Sequence, residues 1–105
     1  MAGHHESDYS LIDLACLNHT CQIYNKYSVT VIEVHDDAVY FYGPFPSSIG
    51  CSDSNWIVYN LEKMADRALS IGLTARATNQ KVKYYYNDTN KCNGNVIQGY
   101  FMSLE

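Results

Sequence analysis

Basic side chains are scarce in this sequence. Seven Lys and Arg residues stand against eleven Asp and Glu residues, which gives a formal net charge of -4 at pH 7. The basic residues are scattered along the chain and form no dense patch. Because nucleic acids and anionic membrane surfaces are bound mainly through such patches, the sequence argues against both kinds of partner.

Long apolar runs are also missing. No stretch of the chain approaches the roughly 20 apolar residues that cross a bilayer, and no basic start followed by an apolar core resembles a signal peptide. Met1–His5 resembles an expression tag and Leu104–Glu105 a vector remnant. We therefore expect residues 1–7 to be a tag or a disordered N-terminus, and residues 8–103 to form a single disulfide-stapled domain.

The composition predicts one small, β-rich globular domain. In 105 residues, 47% are hydrophobic and 17% charged, which suffices for a core and is too little charge for a disordered tail. Four cysteines, ten tyrosines and only two prolines are the unusual counts. They are typical of disulfide-stapled domains, and we expect a secreted or periplasmic protein.

Alternating apolar residues predict five β-strands. The first strand is the longest, and the turn formers His35–Asp37 follow it, so we expect a hairpin with the second strand. In the last strand, strict alternation places Ile97, Gly99 and Phe101 on one face, and Val96, Gln98, Tyr100 and Met102 on the other. The segment Asp8–His19 fits neither period, and a short helical turn and an edge strand both remain open for it. The predicted strands are Gln22–Val34, Ala38–Tyr42, Trp56–Tyr59, Val82–Tyr86 and Val96–Met102.

One helix is predicted between the third and fourth strands, over about Leu61–Thr78. Asn60 is a candidate N-cap, and Glu62 in the first turn complements the helix dipole. The expected fold is therefore α+β, a small five-stranded antiparallel OB-like barrel or sheet with one helix between strands 3 and 4. The inward stripe of the helix consists mostly of small residues: Leu61, Met64, Ala65, Ala68, Gly72 and Ala75.

The four cysteines allow three disulfide pairings, and the sequence alone does not choose among them. Our working choice pairs Cys51 with Cys92, which ties the loop before the helix to the turn region after it, and Cys16 with Cys21 in a small local ring. The alternative for Cys16 and Cys21 is half of a zinc site with His19.

Tyrosines on alternating strand positions are the candidate ligand-binding residues. Tyr40 and Tyr42 share one face of their strand, opposite Val39 and Phe41, and Tyr85 lies opposite its two tyrosine neighbours. An outward-facing tyrosine offers a flat apolar ring with a hydroxyl, which suits sugar stacking or a subunit interface. The alternative is that Tyr40, Tyr42 and Tyr85 are ordinary cross-strand pairs. The expected partner is a cell-surface glycan or a protein.

His35, Asp36 and Asp37 form the one cluster that resembles a catalytic site. An imidazole beside two carboxylates suits a general base or a hard cation, and a small metal-dependent or hydrolytic enzyme is the alternative function. The other interpretation is a solvated hairpin turn, in which Asp bonds its own backbone. We expect the turn, and therefore a non-enzymatic protein without catalytic residues, metal or cofactor.

A pattern of cysteine, tryptophan and Ala-rich helix covers the chain from about Val39 to Met102. This pattern resembles a loose group of small secreted bacterial proteins of unknown function. The resemblance implies export to the periplasm or the exterior, a disulfide between Cys51 and Cys92, and no known catalytic residues. The residues that carry it are Gly50–Cys51, Trp56–Ile57, Met64–Ala65, Ala68, Ala75, Lys81–Tyr84 and Cys92.

In architecture, this group is similar to the OB-fold binding subunits of bacterial toxins. Those subunits form rings and bind cell-surface glycans. The resemblance therefore implies a homo-oligomer and a glycan partner for this chain, without assigning a sugar contact to any residue.

Overall fold

The structure is a computed structural model that describes residues 21–60 and 64–105. Seven strands, one α-helix and one 3₁₀ turn are present in these two ranges. The strands are β1 (Cys21–Ser28), β2 (Ile32–Val34), β3 (Ala38–Tyr42), β4 (Trp56–Asn60), β5 (Lys81–Asn87), β6 (Cys92–Asn93) and β7 (Val96–Leu104); the 3₁₀ turn is Ser47–Ile49 and the helix, α1, is Ala65–Thr78.

The strands form one mixed sheet with the order β1-β5-β7-β4-β3-β2, and β6 pairs with β7 beside this path. All pairs are antiparallel except β4 with β7, which run parallel in the register Ile57 to Ile97 and Val58 to Gln98. The α+β class is thus confirmed. The expectation of five purely antiparallel strands is wrong, because the sheet has seven strands, includes a parallel pair and does not close into a barrel. Since the predicted first strand is two strands, the helix lies between the fourth and fifth strands and not between the third and fourth.

The predicted long strand Gln22–Val34 is two strands that lie at opposite ends of the sheet. β1 pairs with β5, whereas β2 pairs with β3. The three residues between them span at most about 14 Å, although five flat strand spacings would separate the two ends by about 24 Å. The sheet therefore curls, and the continuous β-branched run conceals the point where the chain changes its pairing partner.

The helix α1 begins later than predicted. Asn60 is not its N-cap, because Asn60 still belongs to β4 and pairs with Ala38. The helix begins at Ala65, after Met64, with Asp66 in its first turn, and ends at Thr78 as expected. The predicted positions Leu61 and Glu62 lie outside the described residues.

The small residues of α1 face the sheet as predicted: Ala65, Ala68, Gly72 and Ala75 are its buried residues. A Cβ atom on Gly72 would lie 2.5 Å from Cε2 of Phe41. Glycine at this position therefore permits the helix to lie directly on the ring of β3.

A β-bulge shifts the alternation of side chains between the two faces at the end of β7. Tyr85 pairs with Phe101 and Tyr86 pairs with Gly99, so one residue of β7 is extra. Met102 consequently lies in the core at 4% exposure, while Phe101 contacts Tyr85 on the other side of the sheet. Phe101 and Met102 thus lie on opposite faces, but the prediction that Phe101 shares the face of Ile97 and Gly99 is wrong, because the extra residue shifts the alternation.

The core lies between the helix and one side of the sheet and is rich in aromatic rings. Tyr59 and Tyr84 are both completely buried, and the Tyr59 hydroxyl donates to the carbonyl oxygen of Phe101 at 2.6 Å. Among the described residues, the Tyr84 hydroxyl has no hydrogen-bond partner. Burial raises the pKa of both phenols above their ordinary value of 10.0.

The ring of Tyr59 occupies the space above Gly99. A Cβ atom on Gly99 would lie 2.5 Å from Cζ of Tyr59. β7 thus accepts the hydrogen bond of the Tyr59 hydroxyl at Phe101 and leaves room for the Tyr59 ring at Gly99.

A disulfide joins Cys51 to Cys92, as predicted. It links the loop after β3 to β6. The predicted Cys16–Cys21 pair and the zinc alternative both depend on Cys16, which, like the rest of the segment Asp8–His19, lies outside the described residues. Leu104, taken above for a vector remnant, is the last residue of β7 and pairs with Val82.

Within the part of the chain that the structure describes, no helix has the length and apolar character needed to cross a membrane.

Candidate binding face

The sheet has a second side, turned away from α1, which we call the outer face. Val39 and Phe41 of β3 lie in the core beneath the helix, so the alternating residues Tyr40 and Tyr42 lie on the outer face. This confirms the predicted orientation of both tyrosines. Each is partly exposed.

Trp56 completes an aromatic group on this face. It pairs with Tyr42 across β3 and β4, and the two rings meet edge to face at a centroid distance of 5.2 Å and an interplanar angle of 72°. We refer to Tyr40, Tyr42 and Trp56 as the aromatic platform. Its three rings are held on rigid strands, so a flat ligand meets a surface that is already formed.

Three amide side chains lie beside the platform on β4, β6 and β7; we call Asn60, Asn93 and Gln98 the amide cluster. The Asn93 amide nitrogen donates to Asn60 Oδ1 at 3.4 Å and to Gln98 Oε1 at 2.9 Å. Gln98 Nε2 in turn donates to the carbonyl oxygens of Val58 and Gly99 at 3.3 and 2.8 Å. These bonds fix the amides against the backbone at the side of the platform.

The register connects the platform to the amide cluster. Tyr40 pairs with Val58, and Val58 pairs with Gln98, so all three side chains point to the outer face. Val58 is 1% exposed. The accessible groups of this row are thus the Tyr40 ring at one end and the Gln98 amide at the other, which lie two strand spacings or about 10 Å apart.

The turn between β2 and β3 borders the platform. The His35 ring lies 4.5 Å from the Tyr40 ring, centroid to centroid, and His35 Nε2 lies 3.2 Å from Glu33 Oε1. The His35 backbone N–H donates to the carbonyl oxygen of Ala38 at 2.8 Å, which closes the turn. Asp36 and Asp37 are exposed at its tip.

The predicted catalytic cluster is therefore a hairpin turn in which His35 contacts Glu33 and Tyr40. Within residues 21–60 and 64–105, no three His, Cys, Asp or Glu side chains come together as potential metal ligands.

Tyr85, the third predicted binding residue, lies apart from the other two. It is on the same side of the sheet, but β5 is three strand spacings from β3, about 14 Å. It is 8% exposed and packs edge to face on Phe101 at 6.4 Å. The platform thus contains Tyr40 and Tyr42 without Tyr85.

The loop between β3 and β4 is fixed by its own backbone bonds. The Gly43 and Phe45 N–H groups donate to the carbonyl oxygens of Asn55 and Ser54, and Phe45 is buried in the core. The Cys51–Cys92 disulfide fastens the same loop to β6. It therefore positions the start of β4, and with it Trp56.

Sequence reasoning did not include Trp56 or the amide cluster in the candidate site. The alternation of Trp56 and Val58 against buried Ile57 was the available signal, since it places Trp56 on the face of Tyr42 once β3 and β4 are paired. The amide cluster had no local signal, because its three residues are brought together only by the β4–β7 and β6–β7 pairings.

Compared with known proteins, the chain matches no protein-family model and no curated protein sequence.

Proposed function

We propose that this protein is a non-enzymatic, secreted or periplasmic binding module whose ligand is a glycan held on the aromatic platform. The observation that carries the proposal is the group of three partly exposed rings, Tyr40, Tyr42 and Trp56, on the side of the sheet turned away from the helix. Rings of this kind provide a large contact area at a low cost in conformational entropy.

The neighbouring side chains support a sugar as the ligand. A pyranose presents C–H groups on its faces and hydroxyls at its rim, so it needs both an aromatic surface and polar partners around it. The amide cluster supplies the polar partners, because Asn60, Asn93 and Gln98 are already held in place by mutual hydrogen bonds.

The order of the strands supports an OB-like topology. If β1 and β2 are the two arms of one bent first strand, then β3, β4, β5 and β7 become strands 2 to 5, with the helix between strands 3 and 4. The order is then 4-5-3-2 with one arm of strand 1 at each end of a sheet that curls without closing, and the parallel pair joins strands 3 and 5. In OB folds, the face of strands 2 and 3 and the loop between strands 1 and 2 bind oligosaccharides and oligonucleotides. The equivalent face here is the aromatic platform, bordered by the His35 turn.

Two further features belong to this proposal. The Cys51–Cys92 disulfide supports export, because disulfides persist mainly in oxidising compartments. The resemblance to toxin subunits also implies a homo-oligomer. Light scattering measures the mass in solution, and a mass of two or more chains of 11.9 kDa supports this proposal.

The test uses a printed glycan array followed by titration of the single tryptophan. Trp56 is the only tryptophan in the chain, so its fluorescence reports a ligand that reaches the platform. We expect binding of at least one glycan, a change in Trp56 emission, and at least a tenfold loss of affinity in Tyr40→Ala/Tyr42→Ala, since two stacked rings contribute more than about 1.4 kcal/mol.

The matched control is Ile23→Ala. Ile23 is 50% exposed and pairs with Tyr85 on β5, so it lies on the outer face but far from the platform. Its substitution should leave glycan binding unchanged. Equal binding by the wild type and by Tyr40→Ala/Tyr42→Ala, with both folded by circular dichroism, would refute the platform as the binding site.

A further inference from the structure

Exposed carboxylates border the aromatic platform at the turn between β2 and β3. We propose, resting on the glycan function above, that the platform accepts uncharged saccharides and discriminates against glycans that carry a carboxylate or a sulfate next to the stacked sugar. The discriminating element is the acidic turn, which we define as Glu33, Asp36 and Asp37.

The strands that build the platform and its surroundings contain no cation. β2, β3, β4, β6 and β7 have neither Lys nor Arg. The nearest lysine in the sequence, Lys91, precedes β6, and its Nζ lies beside Gly50, 3.2 Å from where a Cβ atom of that residue would be. An anionic ligand on the platform would therefore meet no ammonium or guanidinium group from these strands.

The acidic turn is fixed at the edge of the platform. The closed turn at His35–Ala38 and the contact between the His35 and Tyr40 rings fix the position of the backbone that carries Asp36 and Asp37. Across the described ranges, no Lys or Arg side chain pairs with a carboxylate, and the one contact of this kind is that of His35 Nε2 with Glu33 Oε1. Asp36 and Asp37 are exposed and, among these described residues, have no basic partner of this kind.

The amide cluster suits uncharged hydroxyls. In each of the Asn60 and Asn93 amides, one polar atom is bonded: Asn60 Oδ1 accepts and Asn93 Nδ2 donates. Within the described part of the chain, the other two atoms, the amide nitrogen of Asn60 and the carbonyl oxygen of Asn93, make no hydrogen bond. One unpaired donor on Asn60 and one unpaired acceptor on Asn93 are therefore available to sugar hydroxyls, which both donate and accept. An anion would satisfy the donor and would face the acceptor with like partial charge.

The expected size of the discrimination follows from Coulomb's law. Two carboxylates about 10 Å from an anionic group in water weaken its binding about threefold at 0.01 M ionic strength, and less than about twofold at 0.15 M, because the screening length shortens from about 30 to about 8 Å. The selectivity should therefore be strongest in dilute buffer.

The experiment compares neutral oligosaccharides with their sialylated and sulfated counterparts. A glycan array selects the strongest neutral ligand, and Trp56 fluorescence is then titrated with that glycan and with its anionic counterpart at both ionic strengths. The test variant is Asp36→Asn/Asp37→Asn. The control, with the same change in charge, is Asp66→Asn/Asp88→Asn, in which Asp66 lies on α1 and Asp88 in the turn after β5.

We expect the wild type to bind the neutral glycan more tightly, and Asp36→Asn/Asp37→Asn to bind the anionic glycan about threefold more tightly than the wild type at 0.01 M, while its affinity for the neutral glycan and the behaviour of the control stay unchanged. Equal or tighter wild-type binding of the anionic glycan, or an equal gain in both double variants, would overturn the selectivity and leave the glycan function standing. Absence of binding to every glycan would overturn the proposed function itself.

Discussion

Two buried tyrosines differ in whether the hydroxyl has a hydrogen-bond partner, and this difference determines what each hydroxyl contributes to stability. Tyr59 and Tyr84 are both completely buried, yet only the Tyr59 hydroxyl donates to a described partner, the Phe101 carbonyl. Removing a buried hydrogen bond leaves an acceptor unpaired, whereas removing a buried hydroxyl that lacks a partner relieves a desolvation penalty. The two residues should therefore respond oppositely to the same substitution.

We predict that Tyr59→Phe lowers the free energy of unfolding by about 1–2 kcal/mol and that Tyr84→Phe leaves it unchanged or raises it. Urea unfolding followed by circular dichroism measures both values, and each variant serves as the control for the other because the atoms removed are identical. A loss of similar size in Tyr84→Phe would mean that its hydroxyl has a partner after all.

Exposure also separates the three predicted binding tyrosines at this scale. Tyr40 and Tyr42 are partly exposed beside Trp56, whereas Tyr85 is 8% exposed and packs on Phe101. Alternation correctly placed Tyr40 and Tyr42 opposite Val39 and Phe41 and Tyr85 opposite Tyr84 and Tyr86, and the burial of those neighbours assigns all three to the outer face. It could not predict the burial of Tyr85, which depends on the residues of β7 that lie next to it.

At the scale of elements, the contact between α1 and β3 depends on a missing side chain. Alanine is normally favoured over glycine inside a helix by about 1 kcal/mol, and Gly72 lies in the middle of α1. At this position, however, the added Cβ would lie 2.5 Å from the Phe41 ring. Packing and intrinsic helix propensity therefore oppose each other.

We predict that packing prevails and that Gly72→Ala lowers the free energy of unfolding by about 1–3 kcal/mol. The matched control is Ser70→Ala, an exposed position of the same helix, where the better helix former should stabilise the protein by a few tenths of a kcal/mol. Thermal or urea unfolding of both variants measures the difference. A more stable Gly72→Ala would show that α1 can move away from Phe41 at little cost.

The errors in predicted elements have a common cause. The continuous pattern of Gln22–Val34 is compatible with one strand, but its two parts pair with β5 and β3 respectively. Likewise, Asn60 fits a helix cap locally, yet pairing with Ala38 keeps it in β4. Local periodicity describes which face a residue prefers and says nothing about which strand it will pair with.

At the scale of the whole molecule, the disulfide connects two segments that lie far apart in the sequence. Cys51 and Cys92 are separated by 41 residues, a span that includes β4, α1 and β5. Closing a loop of this length removes conformational freedom from the unfolded chain, and the chain-entropy model assigns about 4 kcal/mol to it.

We predict that Cys51→Ala/Cys92→Ala lowers the free energy of unfolding by about 3–4 kcal/mol, measured by urea unfolding of the oxidised proteins. Substitution isolates this bond, whereas a reductant acts on any disulfide in the sample. Without urea, the variant should give the far-ultraviolet circular dichroism spectrum of the wild type, because we expect the strands to pair in the absence of this bond. An unchanged midpoint would show that the unfolded chain is already constrained in this region.

The sequence by itself determined the α+β class, the presence of the helix up to Thr78, the β2–β3 hairpin and the alternation that sets Tyr40, Tyr42 and Tyr85 opposite their strand neighbours. These are local properties, because they depend on the period of apolar residues and on turn formers. The disulfide was one of three possible pairings, and the structure decided for Cys51 with Cys92.

Only the tertiary structure decided the open mixed sheet, the parallel pairing of β4 with β7, the bulge of β7 and the joining of Trp56 and the amide cluster to the platform. Each of these depends on contacts between residues distant in the chain. Their energy comes from packing and hydrogen bonds formed across the whole sheet, and a local sequence pattern carries no information about which distant segment will supply them.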